Sequence, residues 1–250
     1  MIISLKASKD VVLASIIPMP AYSKHLFSSR SSTLLAIYYN LLIFTPFLGT
    51  LCKRPVDIVF AIDASGSVGH WGFFKEKDFV NRVVRRFGIS RTGTHAAVIV
   101  YSTKARVEIP FTKYNNYARF YLAVRRLPYY RGVTRIDLAL KTAAQDVFST
   151  EGEARRNVPK ILIVMTDGYQ TRTTDAVPLD KAVLPLKEMG VKVYALAIGP
   201  YTKDYELRLI VEKKENVFRS NSFSGLAHVI RRLATTTCIN GQCEDIVFLL

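Results

Sequence analysis

Six short apolar runs, rich in β-branched residues, set the tightest limit on what this chain can become. They are Val56–Ile62, His95–Tyr101, Arg106–Phe111, Lys160–Met165, Lys192–Ile198 and Asn216–Arg219. Their hydrophobicity is mostly continuous rather than alternating, as in strands covered on both faces. Amphipathic segments separate them. In WGFFKEKDFVNRVVRRFG the residues Phe73, Phe74, Phe79, Val80, Val83, Val84 and Phe87 recur at helical spacing, and Gly88 supplies a stop. NNYARFYLAVRRL, TRIDLALKTAAQDVF, AVPLDKAVLPLKEMG, DYELRLIVEK and SGLAHVIRRLA follow the same pattern, with Pro185 expected to kink one of them. This alternation predicts a doubly wound α/β fold: a mostly parallel six-stranded sheet with helices on both faces. Only four residues separate Tyr101 from Arg106, too few for a crossover, so that pair is an antiparallel hairpin with one edge strand reversed.

Ligands of such sheets sit at the carboxyl ends of the strands. The first run ends in Asp63-Ala64-Ser65-Gly66-Ser67, and the run Lys160–Met165 leads into Thr166-Asp167-Gly168. Arg131-Gly132-Val133-Thr134 precedes the TRIDLAL segment, with Thr134 placed to cap that helix. Asp63, Ser65, Ser67, Thr134 and Asp167 together offer two carboxylates and three hydroxyls, a donor set suited to a hard divalent cation. Hydroxyl donors leave the ion electrophilic, so a carboxylate from another molecule can replace one of its waters. The competing reading is that Asp63 and the serines only cap the next helix.

In order and context these five residues resemble the metal-ion-dependent adhesion site of von Willebrand factor A domains. The resemblance covers about residues 55–237, and DIVFAIDASGSV, YRGVTRIDLAL and VPKILIVMTDG look most like A domains of matrilins and collagen type VI. It implies that Ser65, Ser67 and Thr134 bind the ion directly and that Asp63 and Asp167 act partly through water. Mg²⁺ is the expected cation, with Mn²⁺ as the alternative. The family commonly has two glycines before the threonine where this chain has Arg131-Gly132-Val133, which leaves the third loop's conformation open.

Residues 1–51 read differently. No charged residue occurs from Ser31 to Cys52, and Lys24 and Arg30 lie just before that run. A basic region, an apolar region and small residues near Gly49-Thr50 describe a secretory signal peptide, with Met19 as a possible start. An uncleaved signal anchor is the alternative. The expected domain occupies residues 52–238. Residues 239–250 read as a linker and the start of a second copy, because Asp245-Ile246-Val247-Phe248 repeats Asp57-Ile58-Val59-Phe60. Beside that resemblance, Cys243 belongs to the next copy, and Cys52 and Cys238 form a disulfide across the ends of the domain or remain free thiols.

The formal net charge is +15, most of it beyond the leader. Such a field suits sulfated glycans or acidic proteins, and nucleic acid is the weaker use of it. Arg131, Arg135, His70 and Tyr169 flank the predicted metal loops and are the candidate ligand-contacting residues. Arg125 and Arg126 read as a solvated helix face. No G-x-G-x-x-G, G-x-x-x-x-G-K-[ST] or G-x-S-x-G motif stands at a strand end, and the four histidines are scattered. The expectation is a secreted, matrix-located binding module, not an enzyme, with collagen-like or acidic partners. The alternatives are a structural matrix component that self-associates through a tandem array, and a hydrolase with His70 as base.

Overall fold

The computed structural model describes residues 55–199, 202 and 204–220. The leader, the three cysteines, the segment SGLAHVIRRLA and the C-terminal echo all lie outside these residues. Six strands form one sheet: β1 (Asp57–Asp63), β2 (His95–Tyr101), β3 (Ala105–Ile109), β4 (Lys160–Thr166), β5 (Lys192–Ile198) and β6 (Val217–Ser220). Their order is β3-β2-β1-β4-β5-β6. Every pairing is parallel except β2 with β3, the hairpin that its short connection requires. The reversed strand starts and ends a little earlier than expected, and its register shifts between Val98 and Ile99. Such an irregularity twists and blunts an edge.

β1 is buried at all seven positions, which is why its sequence shows no alternation. Side chains still point to opposite faces in turn. Ile58, Phe60 and Ile62 face a core built with Phe73, Phe79 and Val83 of α1 (Gly69–Phe87) and with Phe120 and Val124 of α2 (Tyr117–Arg125). Val59 and Ala61 face a second core with α3 (Ile136–Thr142), α4 (Leu179–Ala182), α5 (Leu184–Glu188) and α6 (Asp204–Ile210). α1 stops where Gly88 takes φ 69° and returns its N–H to Val84 O at 2.8 Å. α3 widens into a π turn over Ala143–Val147. Pro185 does more than kink its segment. The helix breaks at Val183, and Pro185 sits in the first turn of α5, where its missing N–H leaves no bond unmade.

From β1 the chain runs outward to β2 and β3, then returns to β4 on the other side. The carboxyl ends of β1 and β4 therefore border the switch point, where a crevice opens. Among the described residues no helix is long and apolar enough to cross a membrane.

Candidate metal centre

Three loops meet at this crevice. Asp63 closes β1 with 0% of its surface exposed. Its Oδ1 accepts from Ser65 N at 2.8 Å, and its Oδ2 accepts from the Thr166 hydroxyl at 2.8 Å. Ser65 and Ser67 then project side by side, their Oγ atoms 3.1 Å apart, and Ser67 Oγ donates to Asp167 Oδ1 at 2.8 Å. Gly168 leaves the space above them open: a Cβ there would lie 3.7 Å from Thr134 Oγ1 and 3.8 Å from Ser67 Oγ. Asp63, Ser65, Ser67, Thr134 and Asp167 are thus brought together from positions up to 104 residues apart in sequence.

These hydroxyls do not serve helix termini. α1 begins after Val68, with no side-chain cap and no acidic residue in its first turn. Thr134 does not cap α3 either. That helix is entered through Arg135, and its Asp137 N–H is received by Gln170 Oε1 at 3.2 Å from across the crevice. A side chain 33 residues away thus does what the local threonine was expected to do.

The loops are cross-tied through atoms other than the five donors' side chains. Gly66 N donates to Gly132 O at 2.9 Å, and Thr171 N to Thr134 O at 2.8 Å. Thr134 N in turn donates to Thr171 Oγ1 at 3.1 Å. The Tyr129 hydroxyl donates to Ser65 O at 2.8 Å, and its ring packs on Phe73 of α1. Arg131 adopts φ 59° and Gly132 φ 104°. The third loop therefore keeps a left-handed turn even though an arginine stands in it, a conformation uncommon outside glycine. At Gly132 it is obligatory, because a Cβ would collide with the Thr103 hydroxyl.

Acidic side chains gather beneath the site. Burial raises the Asp63 pKa to about 6, against bonds from Ser65 and Thr166 that lower it. Asp167 is raised too, chiefly by burial. Below them lies Glu76, which the sequence reading missed. It is wholly buried in α1, its Oε2 accepts from Asp63 N at 2.8 Å, and its Oε1 has no partner. Burial and then the charge of Asp63 push its carboxyl well above the usual range. Its signal was legible: it follows Phe73 by three residues and precedes Phe79 by three, on the stripe that must face the core. No lysine, arginine or histidine forms an ion pair with Asp63, Glu76 or Asp167 among the described residues.

The candidate ligand-contacting residues divide. Tyr169 is half exposed and lines a cleft of about 580 Å³ beside Ser67, Thr134 and Asp167. Arg131 is exposed at the rim, with Nη2 3.3 Å from His70 Nε2, and His70 packs on the Tyr129 ring at 4.6 Å. Arg135 faces inward instead. It is 4% exposed, and its guanidinium bonds to Asp137 at 2.8 and 2.9 Å and to Asp175 at 3.0 Å. With both carboxylates bound to it, it anchors the start of α3 and presents no charge to a ligand. Among the described residues no group of three or more His, Cys, Asp and Glu is placed to hold a metal. The donors gathered here are hydroxyls and carboxylates, a set for a hard cation rather than a histidine or thiolate centre.

The fold agrees with that of known proteins. Mouse Matrilin-3 is 32% identical over 200 residues, covering 77% of this chain and 40% of its own length. Chicken Matrilin-1 is 31% identical over 198 residues, covering 77% of this chain and 39% of its own. The chain thus spans about two fifths of the length of these relatives. Proximal thread matrix protein 1 from the mussel byssus, solved with a zinc-occupied MIDAS motif, superposes with a TM-score of 0.69 at 26% identity, over 75% of this chain and 49% of its own. The sequence model of the von Willebrand factor type A domain matches residues 57–232, and the chain belongs to that family.

Proposed function

We propose that this domain is an extracellular binding module in which Asp63, Ser65, Ser67, Thr134 and Asp167 hold a divalent cation that engages an acidic group on a matrix protein partner. The observation that carries this reading is Asp63: a wholly buried carboxyl group, bonded only to neutral donors, with two more acidic side chains nearby and no ion pair to Lys, Arg or His among the described residues. Burying such a charge without a counter-charge is costly, and a cation from solution removes the cost. The residues fit a cation by the chemistry of the donors and by the space that Gly168 keeps open at Ser67 and Thr134. When bound, the ion supplies an electrophilic position for an incoming carboxylate. The chain's own part is to seat it: Tyr129 fixes the Ser65 carbonyl, Thr166 orients Asp63, and Gln170 accepts the Asp137 N–H at the start of α3.

Matrilins and a byssal thread matrix protein among the similar proteins support a matrix setting and a binding role rather than catalysis. The placement of His70 favours no hydrolase, since its Nε2 is met by Arg131 at 3.3 Å. Mg²⁺ is the cation we favour, and collagen-like or acidic proteins are the partners we favour. Calorimetric titration of Mg²⁺ into the wild type and into Asp63→Ala tests the reading. Heat of binding in the wild type alone is expected, with partner capture lost in chelator. Self-association that survives Asp63→Ala, with no cation binding in either protein, would instead support a structural matrix component.

A further inference from the structure

The basic charge is concentrated on one side of the sheet. α1 and α2 carry seven Lys or Arg against Glu76 and Asp78. Glu76 is buried and Asp78 is bonded to Arg82 at 2.8 Å, so little negative charge faces outward there. On the other side α3 with its π turn, α4, α5 and α6 carry Lys141, Lys181, Lys187 and Arg208 against six carboxylates. Around α2 the imbalance is complete: no Asp or Glu occurs between Glu108 and Asp137.

This segment folds around a groove of about 350 Å³ lined by Lys113, Tyr114, Arg119, Leu122, Arg126 and Pro128 among others. Lys113, Arg119 and Arg126 are exposed, and none of them forms an ion pair among the described residues. The one carboxylate at the rim, Glu108, accepts from the Tyr130 hydroxyl at 2.7 Å. Arg119 and Arg126 stand two helical turns apart, about 10 Å along the axis, with Leu122 half exposed between them. A linear polyanion can engage Lys113, Arg119 and Arg126 at the same time. Guanidinium groups pair with sulfate oxygens through two parallel bonds, and the apolar floor of Leu122 and Pro128 suits the less polar faces of sugar rings.

We infer that the groove beside α2, centred on Lys113, Arg119 and Arg126, is a binding site for a sulfated glycosaminoglycan, separate from the metal face. The choice of glycan over nucleic acid or anionic lipid rests on the extracellular setting proposed above; the site itself does not depend on the cation.

The test uses the full chain in chelator throughout, so a failure of the metal reading leaves it untouched. Heparin oligosaccharide binding is measured at physiological salt beside the desulfated oligosaccharide, duplex DNA and phosphatidylserine vesicles. Two variants carry the assignment: Lys113→Ala/Arg119→Ala/Arg126→Ala in the groove, and Lys141→Ala/Lys181→Ala/Lys187→Ala on the opposite layer, with melting curves to show that both fold. The groove variant is expected to bind heparin about tenfold more weakly and the control to stay within about twofold of wild type. Binding only to the sulfated oligosaccharide, more tightly than to DNA or vesicles, supports the site. Equal loss in both variants, equal binding of the desulfated chain, or equal binding of DNA or vesicles would overturn it.

Discussion

β1 begins and ends with an aspartate, and both are wholly buried, yet the two ends do different things. Asp57 has its counter-charge inside the chain. Its Oδ1 accepts from Arg155 Nε and Nη2 at 2.9 and 2.6 Å, and its Oδ2 from the Arg155 N–H at 2.8 Å. The same guanidinium reaches Val56 O and Gly93 O, so the pair ties three segments at the amino-terminal edge of the sheet. Asp63 has only neutral donors, and the neighbouring charge of Asp167 opposes its ionisation further. Residue type, strand and burial are the same. What separates a structural carboxylate from a candidate functional one is where its positive partner comes from.

That contrast fixes what substitutions should do. Arg155→Met removes the guanidinium and leaves the buried Asp57 with the backbone N–H of residue 155 and His95 Nδ1 at 3.9 Å, so denaturant unfolding should report a loss of about 3 kcal/mol while Mg²⁺ affinity in the surviving fold is unchanged. Asp137 tests the same rule at the crevice. Burial alone would raise its pKa, but Arg135, Gln170 and the Val177 amide together hold it below the usual carboxylate range. A carboxylate depressed in the folded state contributes stability that is present above its unfolded pKa, about 3.9, and is lost as pH falls through the folded value. The melting temperature should therefore drop more steeply below about pH 4 in the wild type than in Asp137→Asn, and the variant should be less stable by about 1.5–3 kcal/mol at neutral pH. The smallest effect has the opposite sign. Asp63→Asn in chelator should gain about 1–2 kcal/mol, because a buried charge without a partner is gone, while its Mg²⁺ binding heat disappears. Equal destabilisation by Asp63→Asn and Arg155→Met would erase the distinction between the two ends of β1.

The sheet was legible because its strands are covered on both faces and so read as unbroken apolar runs. The reversed edge strand followed from chain length alone. All five candidate donors were legible as well, since each follows a strand or precedes a helix with a recognisable start. What escaped were relations between distant residues. Nothing near Arg135 announces Asp175, 40 residues on, and so an arginine in a basic stretch read as a surface contact. The cap on α3 was misassigned to Thr134 for the same reason: Gln170 reaches it only in three dimensions. Asp57 and Arg155 are 98 residues apart, and no local pattern links them. Glu76 is the exception, for its place on an apolar stripe was visible in the sequence itself.

Tyr129, Gly132, Thr134 and Thr171 bind the three loops to one another through backbone groups and hydroxyls before any ion arrives. A seat finished in advance has little apolar surface left to bury and little chain left to order. Ion binding should accordingly show a heat-capacity change near zero and leave amide exchange in these loops almost unaltered. The rate of loading would then be governed by how fast Mg²⁺ sheds water, which it does reluctantly, rather than by any rearrangement of the protein.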